Sequence, residues 1–390
     1  MWTDVDHLRS AVRLAQSARG RAEPNPLVGC VIVKDDRVIG QGCHERYGQP
    51  HAEPNALAAC REPPAGATAY VTLEPCSHTN KQTPPCAPRL IAAGVARVVY
   101  GCLDPNPDVN GNGVALLRQA GIAVDGPVDE AGCKQLIAPF IARTVLGRPY
   151  VTMKWAQTAD GKVAGPMGRR LKITGDLADR AVHALRGRCD AIAVGTNTVL
   201  ADDPLLTARG VADARPLLRV VLSNTLKLPL TSRLVVSARE QSVIVFCATS
   251  TADAAPQAVA ALVARGVEVV TLPTRDAGRF SFADVLTHLH ARRVTHLLIE
   301  PGPTLARHLL PRGQVDRIWV FRARHALNDP GGYDAPALPA DYVMTGDVAL
   351  GDDVLSEYLN PTSAAFFAAA PSADLVLTRG EADATRSPFL

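Results

Sequence analysis

The sequence predicts two α/β domains in tandem. Strand-like apolar runs alternate with helix-period segments from the start of the chain, which is the pattern of layered α/β structure with a partly parallel sheet. The alternation stops at Gly147-Arg148-Pro149 and begins again at Tyr150. A length of 390 residues with 47% apolar and 20% charged residues is enough for two ordinary globular cores. The expected domains are 1–146 and 147–360. The Ala-, Pro- and Ser-rich remainder, 361–390, is expected to be poorly ordered.

In the first domain Val5, Leu8, Val12 and Ala15 recur at helical spacing over residues 4–19. Val28–Val33 and Val38–Gly40, joined by Asp35-Asp36, read as a hairpin. A helix is expected over His51–Ala59, with Pro54 in its first turn, where a missing N–H costs little. Strands follow at Ala69–Leu73 and Arg97–Tyr100, with a helix from Cys86 to near Gly94 between them. A short strand at Gly121–Val124 precedes an Ala-rich helix over 129–145. In the second domain strands are expected at Val151–Trp155, Ala191–Val194, Leu218–Leu222, Val243–Cys247, Val267–Leu272 and Thr295–Ile299, and the signal weakens after the run Val315–Val320. Helices are expected near 176–187, 253–265 and 281–292, a loop over 326–341, and a last strand at Leu355–Tyr358.

Composition narrows the function. Net charge is +3 with no basic tract, which argues against a nucleic-acid surface. No apolar run reaches the ~18 residues that span a bilayer. Asp4 and Asp6 stand where a signal peptide would be basic, and nine irregularly spaced cysteines suit a reducing compartment. The expected location is the cytoplasm.

The specific chemistry lies in His51-Ala52-Glu53, Glu74-Pro75-Cys76 and Cys86. Zinc takes four ligands in a tetrahedron and favours nitrogen and sulfur; His51, Cys76 and Cys86 supply three and leave a position for water, as catalytic zinc sites do. Glu53 is placed to carry protons for that water. His-x-Glu followed by Pro-Cys and a second Cys is the signature of zinc-dependent nucleobase deaminases.

The chain resembles one such family closely. Thr72-Leu73-Glu74-Pro75-Cys76-Ser77-His78, Thr83-Pro84-Pro85-Cys86, Pro24-Asn25-Pro26 and Asp104-Pro105-Asn106-Pro107 look like the bifunctional riboflavin-biosynthesis deaminase–reductase, with one residue more than usual between the cysteines. The resemblance covers about residues 1–320. It implies a cytidine-deaminase-like α/β/α domain followed by a dihydrofolate-reductase-like α/β domain. It also implies zinc and NADPH as cofactors and a diaminopyrimidinone ribose phosphate as substrate, with Asn25, His44, Lys81 and Asn106 lining the deaminase pocket. The expected partners are small phosphorylated pyrimidines and further copies of the chain, met through the second domain; neither nucleic acid nor membrane is expected.

No G-x-G-x-x-G follows a strand in residues 150–390, so the second domain carries no Rossmann signal of its own. By the same resemblance Ala156, Thr198, Asp202 and the turn Gly302-Pro303-Thr304 would meet NADPH, and Arg186, Leu206, Arg209 and Glu300 the substrate. Four departures fall in this half. Arg170 and Lys172 stand where the family has a serine facing substrate and a tryptophan facing cofactor. Ser223-Asn224 replaces an Asp-Ser pair, which puts Asn224 at a cofactor position. Pro301 removes an N–H from the phosphate turn. The segment after Val320 also differs. The alternative reading is a deaminase whose second domain serves structure or dimerisation; a nucleic-acid-editing deaminase and a zinc-stabilised binding module are remoter.

Overall fold

The structure is a computed structural model that describes residues 2–78, 83–107, 109–211, 216–367, 371, 372, 374, 375 and 378–380. It divides into two compact units, Met1–Leu146 and Gly147–Leu390.

The first unit is built on strands β1 (Gly29–Lys34), β2 (Arg37–Cys43), β3 (Thr68–Leu73), β4 (Arg97–Cys102) and β5 (Ala123–Asp125), in the order β2-β1-β3-β4-β5. β1 is antiparallel to β2 and β3, whereas β3, β4 and β5 run parallel. Around them pack α1 (Asp4–Gln16), α2 (Ala52–Ala58), α3 (Cys86–Ala92), α4 (Asn112–Gln119), α5 (Glu130–Leu136) and α6 (Ala138–Val145). α1 opens on a capping box between Thr3 and Asp6 and buries Leu8, Ala11 and Ala15 completely. Asp35 and Asp36 both take positive φ, 48° and 58°, as a two-residue hairpin turn with right-handed strand twist requires. α2 lies directly on β2 because Gly42 has no side chain: a Cβ there would sit 2.5 Å from the Ala56 nitrogen.

Two features of this unit differ from the expectation. The single helix over 129–145 is two helices broken at Ile137, because Pro139 takes a first-turn position in a new helix. α4 was not anticipated at all.

The second unit holds β6 (Tyr150–Gln157), β7 (Lys162–Ala164), β8 (Ala191–Gly195), β9 (Leu218–Leu222), β10 (Val243–Ala248), β11 (Glu268–Leu272), β12 (His296–Ile299), β13 (Arg317–Arg322), β14 (Tyr333–Asp334), β15 (Val343–Leu350) and β16 (Asp353–Leu359). The large sheet has the order β11-β10-β9-β8-β12-β6-β13-β16-β15; its strands are parallel from β11 to β13, and β16 and β15 complete it antiparallel. β7 and β14 form a separate antiparallel pair.

Helices α7 (Asp176–Gly187), α8 (Thr196–Asp202), α9 (Arg233–Val236), α10 (Thr249–Ala254), α11 (Pro256–Ala264), α12 (Phe282–Ala291) and α13 (Pro303–Leu309) connect the strands. Both faces of the sheet are covered. Leu297, Ile299, Ile318 and Val320 enter one core, and the alternate residues Leu298, Trp319 and Phe321 enter the other. α8, β15 and the β7–β14 pair go beyond the sequence expectation, and the helix read over 253–265 is interrupted at Ala255, ahead of Pro256.

The segment after residue 360, expected to be poorly ordered, is packed in part. Ser372, Asp374, Leu375 and Thr378 are buried, and Asp374 pairs with Arg317 at 2.7 Å. Residues 381–390 lie outside the described residues.

Candidate active site

His51, Cys76 and Cys86 converge at the C-terminal ends of the parallel strands β3 and β4, where open α/β sheets bind ligands. His51 is the residue preceding α2, Cys76 follows β3, and Cys86 is the first residue of α3. His51 Nδ1 lies 3.6 Å from Cys76 Sγ and 3.4 Å from Cys86 Sγ. All three ligand atoms fall within 4.8 Å of one another. Tetrahedral zinc bound to nitrogen and sulfur spaces such atoms at about 3.6 Å, so the set fits zinc. The hydrogen bond to Cys76 and burial push the Cys86 thiol up, and a bound cation is what makes a coordinating thiol give up its proton.

Glu53, in the first turn of α2, is 3% exposed, and its Oε2 meets no hydrogen-bond partner among the described residues. Burial raises its carboxyl above the ordinary range, the Cys76 sulfur adds to this, and His51 opposes it. A carboxyl tuned upward beside a metal site suits proton transfer near neutral pH.

His51, Cys76 and Glu53 border a cavity of about 340 Å³ within the first unit. Asn25, His44 and Asn106 line it, as expected, together with Tyr47, His78 and Phe140. Asn25 Nδ2 donates to His44 Nε2 at 3.1 Å, and His44 Nδ1 donates to the Pro50 carbonyl at 3.0 Å; this tautomer leaves the ring neutral. Burial lowers the His44 pKa, and the neighbouring His51 lowers it further against the Pro50 carbonyl. Lys81 lies outside the described residues. Glu74, quoted in the sequence only as part of a motif, also lines the cavity while 2% exposed.

In the second unit some of the expected residues stand at the C-terminal ends of four adjacent parallel strands. Ala156 is the penultimate residue of β6, Thr198 follows β8, Asn224 follows β9, and Glu300 and Gly302 follow β12. A Cβ on Gly302 would lie 3.5 Å from Thr198 Oγ1, so these two turns adjoin. Gly302 precedes α13, whose first turn holds Pro303 and Thr304.

Arg186 grips Glu300 through two 2.8 Å hydrogen bonds and donates to the Thr207 carbonyl at 3.1 Å. Arg209 is exposed, and its N–H donates to His183 Nδ1 at 3.1 Å. Leu206 is at φ 55° with its side chain 2% exposed in the core, so only its backbone can face a ligand. Exposed Arg170 lies 3.8 Å from Asp202, which joins the departing segment to an expected cofactor residue. Lys172 is committed elsewhere: its amine pairs with Asp176 at 2.9 Å and lies 3.8 Å from Asp179, in the first turn of α7.

Sequence reasoning assigned no role to Lys154. Its amine lies 5.2 Å from the centroid of the Phe321 ring, and burial pushes its pKa down, with Glu300 opposing and Arg186 assisting. The signal was present: Lys154 is the lone charge in the apolar run Val151–Trp155.

Comparison with known proteins agrees with this arrangement. Residues 1–102 match the cytidine and deoxycytidylate deaminase zinc-binding region, and residues 149–327 match the RibD C-terminal domain. The chain is 40% identical over 326 residues to riboflavin biosynthesis protein RibD of Aquifex aeolicus, covering 84% of this chain and 88% of that protein. It is 39% identical over 339 residues to RibD of Escherichia coli, covering 86% and 90%. Among solved structures, Acinetobacter baumannii RibD superposes with a TM-score of 0.79 at 32% identity, over 91% of this chain and 98% of that one. A diaminohydroxyphosphoribosylaminopyrimidine deaminase/5-amino-6-(5-phosphoribosylamino)uracil reductase from Thermotoga maritima gives 0.78 at 33% identity, over 92% and 98%.

Proposed function

The chain belongs to the RibD family of riboflavin-biosynthesis proteins, with a deaminase and a reductase activity, and on that premise we propose how its residues divide the work. The cofactors are zinc and NADPH. The substrate is 2,5-diamino-6-(5-phosphoribosylamino)pyrimidin-4(3H)-one. The observation that carries the first half is the triad of His51, Cys76 and Cys86 with a buried, unpartnered Glu53 oxygen beside it.

His51, Cys76 and Cys86 hold the zinc, which when bound supplies the Lewis acidity that makes water nucleophilic near neutral pH. Glu53 accepts a proton from water as its oxygen joins the ring carbon, and returns it to the exocyclic nitrogen, which leaves as ammonia. Neutral His44, locked between Asn25 and Pro50, offers a fixed edge to the pyrimidine. Asn25 and Asn106 present amides to the ring substituents. Lys81 is assigned to the phosphate on its charge.

In the second unit NADPH, when bound, supplies a hydride. Ala156, Thr198, Asp202, Asn224 and the turn Gly302-Pro303-Thr304 flank its place at the strand ends, with Arg170 beside Asp202. Arg186, Arg209, Glu300 and the backbone of Leu206 form the substrate side. Opening the ribose to a ribityl chain requires a proton on the ring oxygen as hydride reaches carbon. Lys154, its pKa lowered beside Glu300, is suited to deliver it.

Reduced Cys76 and Cys86 thiols are needed to hold the metal, which supports a cytoplasmic location. No helix among the described residues is long and apolar enough to cross a membrane. Exposed Met344 on the edge strand β15 and Val354 on β16 support self-association through the second unit. The test of function is direct. Purified protein given the diaminopyrimidinone ribose phosphate should release ammonia, and with NADPH should then oxidise it. Ammonia without NADPH oxidation would leave only the deaminase, and neither would end the reading.

A further inference from the structure

We propose that Glu74 is the positioning residue of the deaminase cavity: from the end of β3 it fixes, through four backbone N–H groups, the loop that presents Asn106 to the substrate. The proposal rests on the reading of Asn106 as a substrate contact. The Glu74 side chain is 2% exposed, two residues before the metal ligand Cys76. Its Oε2 accepts from the N–H groups of Gly111 at 2.9 Å and Asp104 at 3.3 Å. Its Oε1 accepts from Gly113 at 2.8 Å and Val114 at 3.2 Å. One carboxylate therefore closes both ends of the segment 104–114.

Local sequence cannot do this. The residue preceding α4 is Gly111, at φ 79°, with no side chain to cap the helix. Gly113 and Val114 are the second and third residues of that helix, whose N–H groups have no intrahelical acceptor. Glu74 supplies the missing cap from another element. A carboxylate is needed because it offers about four acceptor sites and no donor; a carboxamide would turn an NH₂ toward two N–H groups. The approach is close: a Cβ on Gly113 would fall 1.8 Å from the Pro75 carbonyl oxygen.

Within the closed segment Asp104 Oδ1 accepts from the Asn106 N–H at 2.9 Å, so the place of Asn106 follows from that of Asp104. Glu74 touches no reacting atom in this account. It holds the loop at a set distance from the metal ligand that follows it in the chain.

The experiment compares the full-length, zinc-loaded protein with Glu74→Gln, Asn106→Ala and the double variant, following ammonia release from the diaminopyrimidinone ribose phosphate and zinc content. The expected result for Glu74→Gln is one zinc per chain, KM raised at least about tenfold and kcat within about threefold. The double variant should be no worse than the poorer single, because both remove the same contact. Should Glu74→Gln not accumulate as folded zinc protein, Glu74→Asp, which keeps the charge but withdraws it by one carbon, is expected to raise KM likewise. An unchanged KM with only a lower melting temperature would reduce Glu74 to a structural cap and overturn the proposal. Effects that multiply in the double variant would overturn it too. If Asn106→Ala leaves KM unaltered, the substrate reading of Asn106 falls and the proposal with it. An effect of Asn106→Ala without one of Glu74→Gln sinks the proposal alone.

Discussion

Arg186 and Glu300 face each other fork to fork, Nε on Oε1 and Nη2 on Oε2, both at 2.8 Å, with side chains only 13% and 17% exposed. Burial alone would raise the Glu300 carboxyl; the charge and hydrogen bonds of Arg186 overcome it, and with help from Lys154 hold the pKa at about 2. An unfolded glutamate titrates near 4.3, so the pair's contribution is fully present above about pH 4.3 and is lost as pH falls toward 2. The expected outcome is a stability gap between wild type and Glu300→Gln that shrinks between about pH 5 and pH 2 in urea unfolding. A gap that stays constant over that range would contradict it. Arg186→Ala, which strands the buried carboxylate, should cost about 3 kcal/mol.

Glu53→Gln keeps shape and removes the proton carrier. Because Glu53 ligates nothing in this arrangement, zinc content should stay at one per chain while deamination falls by about 10²–10⁴-fold. NADPH oxidation with the already deaminated product should be unchanged, since every residue assigned to reduction lies in the second unit. Deamination within a few-fold of wild type would remove Glu53 from the mechanism.

Stripping the zinc should separate the two activities in the other direction. Chelation removes the cation that His51, Cys76 and Cys86 would share. Ammonia release should stop, the first unit should melt earlier, and reduction of the deaminated product should persist. Readdition of zinc should restore deamination and the melting temperature together. Loss of both activities on chelation would show that the units are not energetically separate.

The metal centre was legible because its signal is chemical: a histidine, two cysteines and a glutamate of the right types recur in order, and the strands between them could be read from apolar runs. What escaped was held by distant groups. α4 has no capping side chain of its own, because Gly111 precedes it and the cap comes from Glu74, 37 residues earlier than Gly111. β15 carries Gly346 and alternates buried and exposed residues weakly; it forms by pairing with β16 along nearly its whole length. Lys154 was visible as a charge in a strand, but its role depends on Glu300, which follows β12, the strand beside β6.

The segment after residue 360, expected to be poorly ordered, is held in part by the same kind of distant contact: Ser372, Asp374, Leu375 and Thr378 are buried. Its small and polar residues suggest disorder, but Arg317 on β13, 2% exposed, draws it in. Arg317 Nη1 donates to Asp374 at 2.7 Å and to Ser372 Oγ at 3.0 Å, and its Nε donates to Thr152 at 3.1 Å; Glu357 stands 3.9 Å away. Removing the Asp374 carboxylate leaves a guanidinium buried with a more distant counter-charge, at a cost of about 3 kcal/mol, because the desolvation of Arg317 is no longer repaid. Asp374→Ala should therefore lower the denaturant midpoint of the second unit, and truncation after residue 370 should lower it at least as far. Deamination should be untouched in both. A change in unfolding free energy below about 0.5 kcal/mol for Asp374→Ala would mean that the pair with Arg317 adds nothing to the stability of this unit.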